Sequence, residues 1–253
     1  MIRAHDRVPA MGSDNSLLRV FLHNLERFFY YGAPMRTLVI SLTIASLVFT
    51  SCHRHGVRGS GTEKSEQRSL GEFTGVEISG MFSAKIRCGE SPGITVSGDD
   101  NLIPLVKTEV RDSRLLVYAI QDIDPRTDLS VDITTPGVSS VSVSGLSSVE
   151  LAKVQGKRLT LVLSGAGSMN AEGSVDNADL VITGAGRITT QKLAARNLGI
   201  TMSGAGKADV FATDTLNVTI SGAGSVNYYG NPREVTKSIS GVGFVTKKGG
   251  SDS

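Results

Sequence analysis

A short Ser/Thr-Gly phrase recurs along the second half of the chain and constrains the fold more than any other feature. One copy reads LSGAGSM from Leu163, and successive copies begin 20, 19, 20, 18 and 19 residues apart. A fixed period of this length is typical of a solenoid, in which each repeat stacks on its neighbours. The copies begin at Ser144, Ser164, Thr183, Ser203, Ser221 and Ser240.

Apolar residues alternate with polar ones on both sides of each copy. Leu159, Leu161 and Leu163 precede one phrase, and Met169 and Ala171 follow it. A period of two belongs to a strand with one buried face. Each repeat therefore contains two short strands joined by a tight corner, where glycine allows positive φ angles and leaves room for the stacked neighbour.

The fold class predicted from this pattern is all-β: a single-stranded right-handed parallel β-helix of about 8–10 turns, the hand following the rule for parallel crossovers. We expect it to run from Phe73 to about Lys247. Two degraded copies, at Ser79 and Ser97, lie 18 residues apart and extend the count towards the N-terminus. The interval from Ser97 to Ser144 has room for one or two coils, including RLLVYAI.

An N-terminal signal segment precedes the repeats. Residues 35–51, MRTLVISLTIASLVFTS, have a basic start and an uncharged run too short to span a membrane comfortably. With Cys52 directly after them they resemble a bacterial lipoprotein signal, which predicts lipid attachment at Cys52; Phe49 departs from the usual aliphatic residue. An ordinary secretory peptide or a retained anchor helix are the alternatives. Residues 1–34 are interpreted as a mis-assigned upstream extension.

The remaining boundaries follow from composition. Residues 52–70 are polar, rich in Gly and Ser, and predict a flexible tether. Residues 71–248 form the predicted β-helix head domain and 249–253 a tail. Lipoproteins retained at the inner membrane often carry Asp after the lipidated Cys, whereas His53 stands here, which favours the outer membrane. The lysines of the final VTKKGGSDS, Lys247 and Lys248, are expected to protect the open C-terminal strand edge, and the degenerate copies the N-terminal one.

The sequence predicts no catalytic, cofactor-binding or metal-binding residue. From Gly56 onward it contains no histidine, so a nucleophile there has no histidine base, and Cys88 alone remains as a ligand for a zinc site of the Cys/His type. Cys88 is interpreted as a small strand residue. The net charge of +2 indicates no basic surface for nucleic acid. We therefore expect a protein that is not an enzyme.

Carbohydrate-active β-helix enzymes, similar to polysaccharide lyases or hydrolases, are the alternative, because they use clustered carboxylates. The densest acidic stretch is interpreted as a solvated loop around Pro125, and Asp99 and Asp100 as turn formers. Exposed aromatic side chains could bind sugar, although packing explains the few that occur. The acidic stretch contains Asp122, Asp124, Asp128 and Asp132, and the aromatic residues are Phe82, Tyr118, Tyr228, Tyr229 and Phe244.

Between Gly71 and Lys248 the chain resembles the auto-transporter adhesin head GIN domain family of bacterial lipoproteins and secreted proteins. The resemblance rests on FTGVEISGMFSAKI, on VSGDDNLIPLVKTEVRDSRLLVYAI and on the serial SGAG corners. It implies a right-handed parallel β-helix and no known catalytic residues. The predicted function is a non-catalytic, lipid-anchored cell-envelope protein with an adhesin-like or scaffold domain, whose candidate partners are an envelope protein or a polysaccharide.

Overall fold

A computed structural model describes residues 56–249 of the chain. They form a wound 15-stranded sheet and a separate two-stranded sheet, with one short 3₁₀ helix, Ile103–Leu105. The predicted all-β solenoid is confirmed, whereas its right-handedness stays a prediction. Because each strand buries alternate side chains against the same interior, the core is one continuous cluster along the coil.

The region before residue 140 contains nine strands and mixes parallel with antiparallel pairs. In chain order the strands are β1 (Val57–Arg58), β2 (Glu63–Arg68), β3 (Gly75–Gly80), β4 (Ser83–Cys88), β5 (Gly93–Asp99), β6 (Val106–Arg111), β7 (Arg114–Ala119), β8 (Ile123–Asp124) and β9 (Ser130–Thr135).

The region after residue 140 contains eight strands, all paired in parallel, and includes the recurrent corners. They are β10 (Ser140–Gly145), β11 (Ser148–Leu163), β12 (Ser168–Ile182), β13 (Arg187–Met202), β14 (Ala205–Ile220), β15 (Ala223–Tyr229), β16 (Glu234–Ile239) and β17 (Val242–Lys247).

Two long outward faces result from this winding. Face A consists of the strand segments that precede the Ser-Gly corners, and face B of the segments that follow them. Equivalent residues of successive repeats pair in register, as Leu161 with Leu180 and Leu180 with Ile200. These inward side chains are buried, as their alternation predicts. Burying each contributes about 1.5–3 kcal/mol, so the stacked rows hold the coil together.

The corner glycines owe their identity mainly to close stacking. Positive φ angles occur at Gly80 (127°) and Gly145 (94°), as the sequence analysis expected. The glycines of the later SGAG corners have no such angle, yet a Cβ atom on Gly184 would overlap the carbonyl oxygen of Gly165, and one on Gly204 that of Gly184. Backbone approaches backbone so closely at this column that only hydrogen fits.

The predicted count of 8–10 successive turns is wrong, because the regular coil has about 5 turns. The arch formed by β3 and β4 is inserted out of sequence order. Strand β3 lies between β7 and β10, and β4 lies between β9 and β11. The Ser79 copy therefore stacks as a true corner, but its neighbour in space is the Ser144 corner rather than a copy at Ser97.

Ser97 does not begin a corner. It lies inside β5, which pairs antiparallel with β2 and β9. The predicted coil at RLLVYAI exists as β7, but its partner β6 runs antiparallel to it. The reversal occurs at Asp112 and Ser113, with φ angles of 49° and 59°. Two successive positive φ angles suit the tight turn of a hairpin, which the repeat pattern did not reveal.

The prediction of a flexible tether at residues 52–70 is wrong for residues 56–70, which the structure describes. We call residues 56–70 the N-terminal strap, since they contain β1 and β2 and lie along the sheet. Strand β1 pairs in parallel with β8 and β2 antiparallel with β5. The Arg68 guanidinium donates to the carbonyl oxygens of Val106 (2.7 Å) and Ile103 (3.1 Å). The strap is polar and carries no apolar alternation, which is why composition indicated a tether.

Candidate functional site

The two outward faces carry rows of small polar side chains in register. On face B the hydroxyl groups of Ser148 and Ser168 lie 2.9 Å apart. On face A the Asn197 amide donates to Asn177 Oδ1 at 3.0 Å, and the Thr215 hydroxyl donates to Asn197 Oδ1 at 2.9 Å. Because neighbouring strands lie about 4.8 Å apart, such rows present a regular, fairly flat array of hydrogen-bonding groups.

The Ser-Gly corners show this regularity less completely than the two faces do. The hydroxyl oxygens of Ser79 and Ser144 lie 2.6 Å apart, and Ser164 Oγ donates to the Val143 carbonyl at 3.4 Å. Beyond these corners Ser203 and Ser221 are exposed to solvent. The row of hydrogen-bonded serine hydroxyl groups is thus incomplete, and the glycine column is the constant feature of the corners.

A groove of about 320 Å³ interrupts face B. Glu150, Asn170 and Thr189 line it and pair in register on three neighbouring strands. Glu172 and Lys192, which are also register partners, line it side by side. Register shifts in the strands open the surface at this point, as β-bulges commonly do. Sequence reasoning did not find this groove because the bulges have no signal in the repeat pattern.

The lining of the groove combines charged, amide and hydroxyl groups with an apolar floor. The floor comes from Leu151, Ala152 and Ala171. Two carboxylates and one ammonium give the lining a formal net charge of −1. A groove of this kind can hydrogen-bond a hydroxylated ligand and attracts polyanions poorly.

The acidic stretch that the sequence analysis singled out does not gather its carboxylates at one point. Asp132 pairs with the Arg87 guanidinium (3.1 Å), and Asp128 accepts from the Ser83 hydroxyl (3.1 Å). Asp124 lies in β8, two residues after Asp122. Within residues 56–249 no group of three or more His, Cys, Asp or Glu side chains could hold a metal ion.

Asp99 begins a turn, as expected, since its carbonyl oxygen accepts from the Leu102 N–H at 2.9 Å, and its side chain is in addition a buried anchor. Its carboxylate accepts hydrogen bonds from the backbone N–H groups of Gly61 (2.6 Å), Arg126 (2.8 Å) and Thr127 (3.1 Å). Burial alone raises the pKa of this carboxyl, but the N–H donors of Thr127, Arg126 and Gly61 outweigh burial and lower the pKa below its ordinary value. The neighbouring Asp100 accepts only an exposed contact, from the Ser60 hydroxyl.

The aromatic residues mostly pack rather than form a ligand platform. Phe82 and Tyr228 are buried in the core. The Tyr118 hydroxyl donates to Glu109 at 2.9 Å, and this hydrogen bond raises the pKa of the phenol, with burial and the charge of Glu109 adding to the effect. Tyr229 is half-buried, and Phe244 is exposed on the last strand. The packing interpretation therefore applies to most of the set.

Of the two cysteines, Cys88 lies within the described residues and Cys52 does not. Cys88 is a free, buried residue of β4, and burial raises the pKa of its thiol, which makes it an inert strand residue. Cys52, the predicted lipid attachment site, lies outside the described residues. In the described part of the chain no helix has the length and apolar character needed to cross a membrane.

Comparison with known proteins shows the family. Residues 72–232 match the family model described as "Putative auto-transporter adhesin, head GIN domain", and the chain belongs to that family. The match includes the inserted arch of β3 and β4, the rest of the irregular region up to residue 140 and most of the regular coil. The resemblance noted from the motifs is thereby confirmed. None of the curated proteins matches the chain.

Solved structures share the fold at low sequence identity. A "putative adhesin" from Bacteroides fragilis has a TM-score of 0.62 and 20% identity, covering 76% of this chain and 100% of its own. One from Parabacteroides merdae has a TM-score of 0.55 and 22% identity, covering 76% and 99%. A third, from Parabacteroides distasonis, has a TM-score of 0.50 and 22% identity, covering 76% and 100%.

Proposed function

We propose that this protein is a non-catalytic, lipid-anchored component of a bacterial cell envelope whose solenoid serves as an adhesin-like or scaffold module. Acyl chains on Cys52 hold it at the outer membrane, and one long face binds an envelope protein or a polysaccharide. The observation that carries the proposal is the pair of outward faces with small polar side chains in register. A rigid array of this kind offers a long contact surface at little cost in conformational entropy.

The family supports the same reading. Solved structures with this fold, from Bacteroides fragilis and two Parabacteroides species, carry the description "putative adhesin". Their similarity to this chain extends to the fold, and an adhesive role for this chain is our inference from it. The lipoprotein-like signal before Cys52 supports targeting of the protein to the cell envelope.

The anchor is tested by replacing the predicted attachment residue in the full chain. We expect Cys52→Ala to move the protein from the membrane fraction to the soluble fraction, since the acyl chains supply the attachment. Cys88→Ala, the matched control, should leave the protein membrane-bound, because Cys88 is a buried strand residue. A Cys52→Ala protein of unchanged size that stays with the membrane contradicts lipid anchoring.

The binding role is tested by photo-crosslinking in intact cells. A crosslinking amino acid is placed at Asn197 on face A and at Ser168 on face B, in separate proteins. A recurrent adduct from one face and not the other supports a presented binding face. Scattered capture of abundant envelope proteins from both positions, together with unchanged cell attachment after deletion of the protein, contradicts the adhesin-like role and favours the scaffold.

A carbohydrate-active enzyme is the second candidate, and the groove on face B favours it. Glu150, Glu172 and Lys192 supply the acid and base groups that cleavage of glycosidic bonds uses. The full chain is incubated with a panel of uronic-acid and neutral polysaccharides, and chain ends are counted. Release of products that is lost in Glu172→Gln, but not in the exposed control Glu90→Gln, would replace the non-catalytic proposal.

A further inference from the structure

Large exposed apolar side chains lie in two places in the described part of the chain: on the last layer, at Ile239, Val242 and Phe244, and at one corner of the solenoid close to where the strap begins. Ile120, Met81 and Leu146 are 52%, 42% and 60% exposed. Met81 and Leu146 follow the paired corner glycines Gly80 and Gly145. Ile120 occupies the same place one layer further, since Ser79 pairs with Tyr118.

These three residues form what we call the apolar corner. They follow one another on three stacked layers, so they span about 10 Å at about 4.8 Å per layer. The later repeats place alanine at this position, at Ala166, Ala185, Ala205 and Ala223. Large side chains therefore replace alanine at the two ends of the corner column, three at the strap end and Val242 at the other.

The apolar corner lies next to the first described residues. Gly56 and Arg58 of the strap line a hollow of about 830 Å³ together with Met81 and Ile120. Asp122 and Asp124 also line this hollow, so charged and exposed apolar side chains meet in its lining. Exposed apolar side chains beside charged groups suit the interface of a bilayer, where apolar side chains enter and charges stay in the headgroup layer.

The number of residues between Cys52 and the strap sets an upper limit on how far the predicted lipid can be from Gly56. Cys52 is only four residues from Gly56, and a fully extended chain spans at most about 3.6 Å per residue, or about 14 Å here. Val242, the exposed apolar residue at the far end of the same column, lies beyond the four alanine layers, about 24 Å from Leu146. Acyl chains on Cys52 thus lie within reach of the apolar corner.

We propose that Ile120, Met81 and Leu146 form a membrane-contact patch that rests on the bilayer holding the Cys52 anchor. The proposal depends on the lipid anchoring proposed above. In this arrangement the solenoid does not move freely on a flexible tether, because the layers that carry the apolar corner contact the bilayer. Seating at this corner determines which surface of the coil is presented away from the membrane.

The test uses the full lipidated chain in vesicles of phosphatidylethanolamine and phosphatidylglycerol. A fluorescent label is attached to Leu146→Cys, in the Cys88→Ala background, and quenched by lipids with brominated acyl chains. The matched control carries the label on Asn217→Cys, which is exposed on face A far from the strap. We expect strong quenching at position 146 and little at position 217. Equal quenching at the two positions overturns the patch.

Flotation of the same vesicles separates this inference from the anchor itself. Protein that floats, while its label at position 146 stays unquenched, overturns the patch and leaves lipid anchoring intact. A label shielded from aqueous iodide but unquenched by brominated lipid means that another protein or a second copy covers the corner, and also overturns it. If Cys52→Ala leaves flotation unchanged, that result contradicts both the lipid anchor and the patch that depends on it.

A second measurement uses the unanchored Cys52→Ala chain. We expect weak residual binding to the vesicles, reduced several-fold by Leu146→Ser because the patch inserts apolar side chains. Val242→Ser, a similar change at the other end of the corner column, should leave binding unchanged. Equal effects of the two substitutions contradict a patch located at the strap.

Discussion

The two ends of the solenoid are closed in different ways. At the N-terminal end, β2, β5 and β6 run antiparallel to their neighbours and, with the 3₁₀ helix, cover the core. Ile103 of that helix is fully buried. At the C-terminal end, β16 and β17 are the last layer, and the inward-facing Ile239 is 42% exposed. A reversal of chain direction seals one end, whereas the other simply stops.

The difference shows that a repeat fold needs a departure from its repeat to end securely. Identical repeats leave an apolar row and an unpaired strand edge at each end. The strap, the hairpin at Asp112 and Ser113, and the buried Asp99 supply that departure on the N-terminal side. On the C-terminal side two lysines, Lys237 and Lys247, take positions that are apolar or aromatic in the preceding layer, Val218 and Tyr228.

The largest expected effect compares one substitution at both ends. Ile103→Ala should lower the free energy of unfolding by about 2–5 kcal/mol, because it empties a sealed core site. Ile239→Ala should cost less than about 1 kcal/mol, since its side chain is already partly in water. Urea unfolding of both variants measures the difference. Equal losses would mean that the C-terminal layer is covered in solution.

A second, smaller effect concerns the pH dependence of the N-terminal end. The folded-state pKa of Asp99 is lowered, so its contribution to stability is complete above the unfolded value, about 3.9. That contribution is lost as pH falls from there through the folded pKa. Asp99→Asn keeps the shape of the side chain but removes its charge. We expect it to destabilise the protein at pH 7 and to reduce the loss of stability that the wild type shows as pH falls.

Hydrogen exchange locates the effect. In Asp99→Asn the amides of the strap, including Gly61, should exchange faster, while those of β12 and β13 stay protected. Asp100→Asn is the matched control, because the Asp100 carboxylate accepts an exposed hydrogen bond from the Ser60 hydroxyl and the substitution leaves the backbone bond to Thr62 in place. Uniform exchange across the coil, or an equal response to the control, would contradict a local anchor at the N-terminal end.

The sequence analysis predicted the regular half of the molecule better than the irregular half. Alternation at Leu159, Leu161 and Leu163 identified the buried rows, because one face of each strand must be apolar. The insertion of β3 and β4 was not predictable, since stacked arches with similar rows fit next to several neighbours. Asp99 and the groove were missed for a related reason: burial of a carboxylate and a β-bulge depend on contacts between distant segments.

The smallest expected effect on folding, and the one that tests the open end, comes from the two lysines of the last layer. Lys237 Nζ lies 5.6 Å from the centre of the Tyr228 ring and donates to the Val245 carbonyl at 3.2 Å. Lys247 Nζ donates to Asn231 Oδ1 at 2.7 Å. Their stems cover the end of the core while their charges discourage addition of another strand.

Lys237→Leu with Lys247→Leu should change the free energy of unfolding by less than about 1 kcal/mol, as for most surface changes. The same double variant should form dimers or larger assemblies at concentrations where the wild type is smaller, because the apolar row then ends uncovered. Sedimentation velocity measures this association, and Lys85→Leu, an exposed lysine on an interior layer, is the control. If the double variant and the control keep the wild-type mass, the lysines do not protect the open end, and the edges of β16 and β17 must be protected in another way.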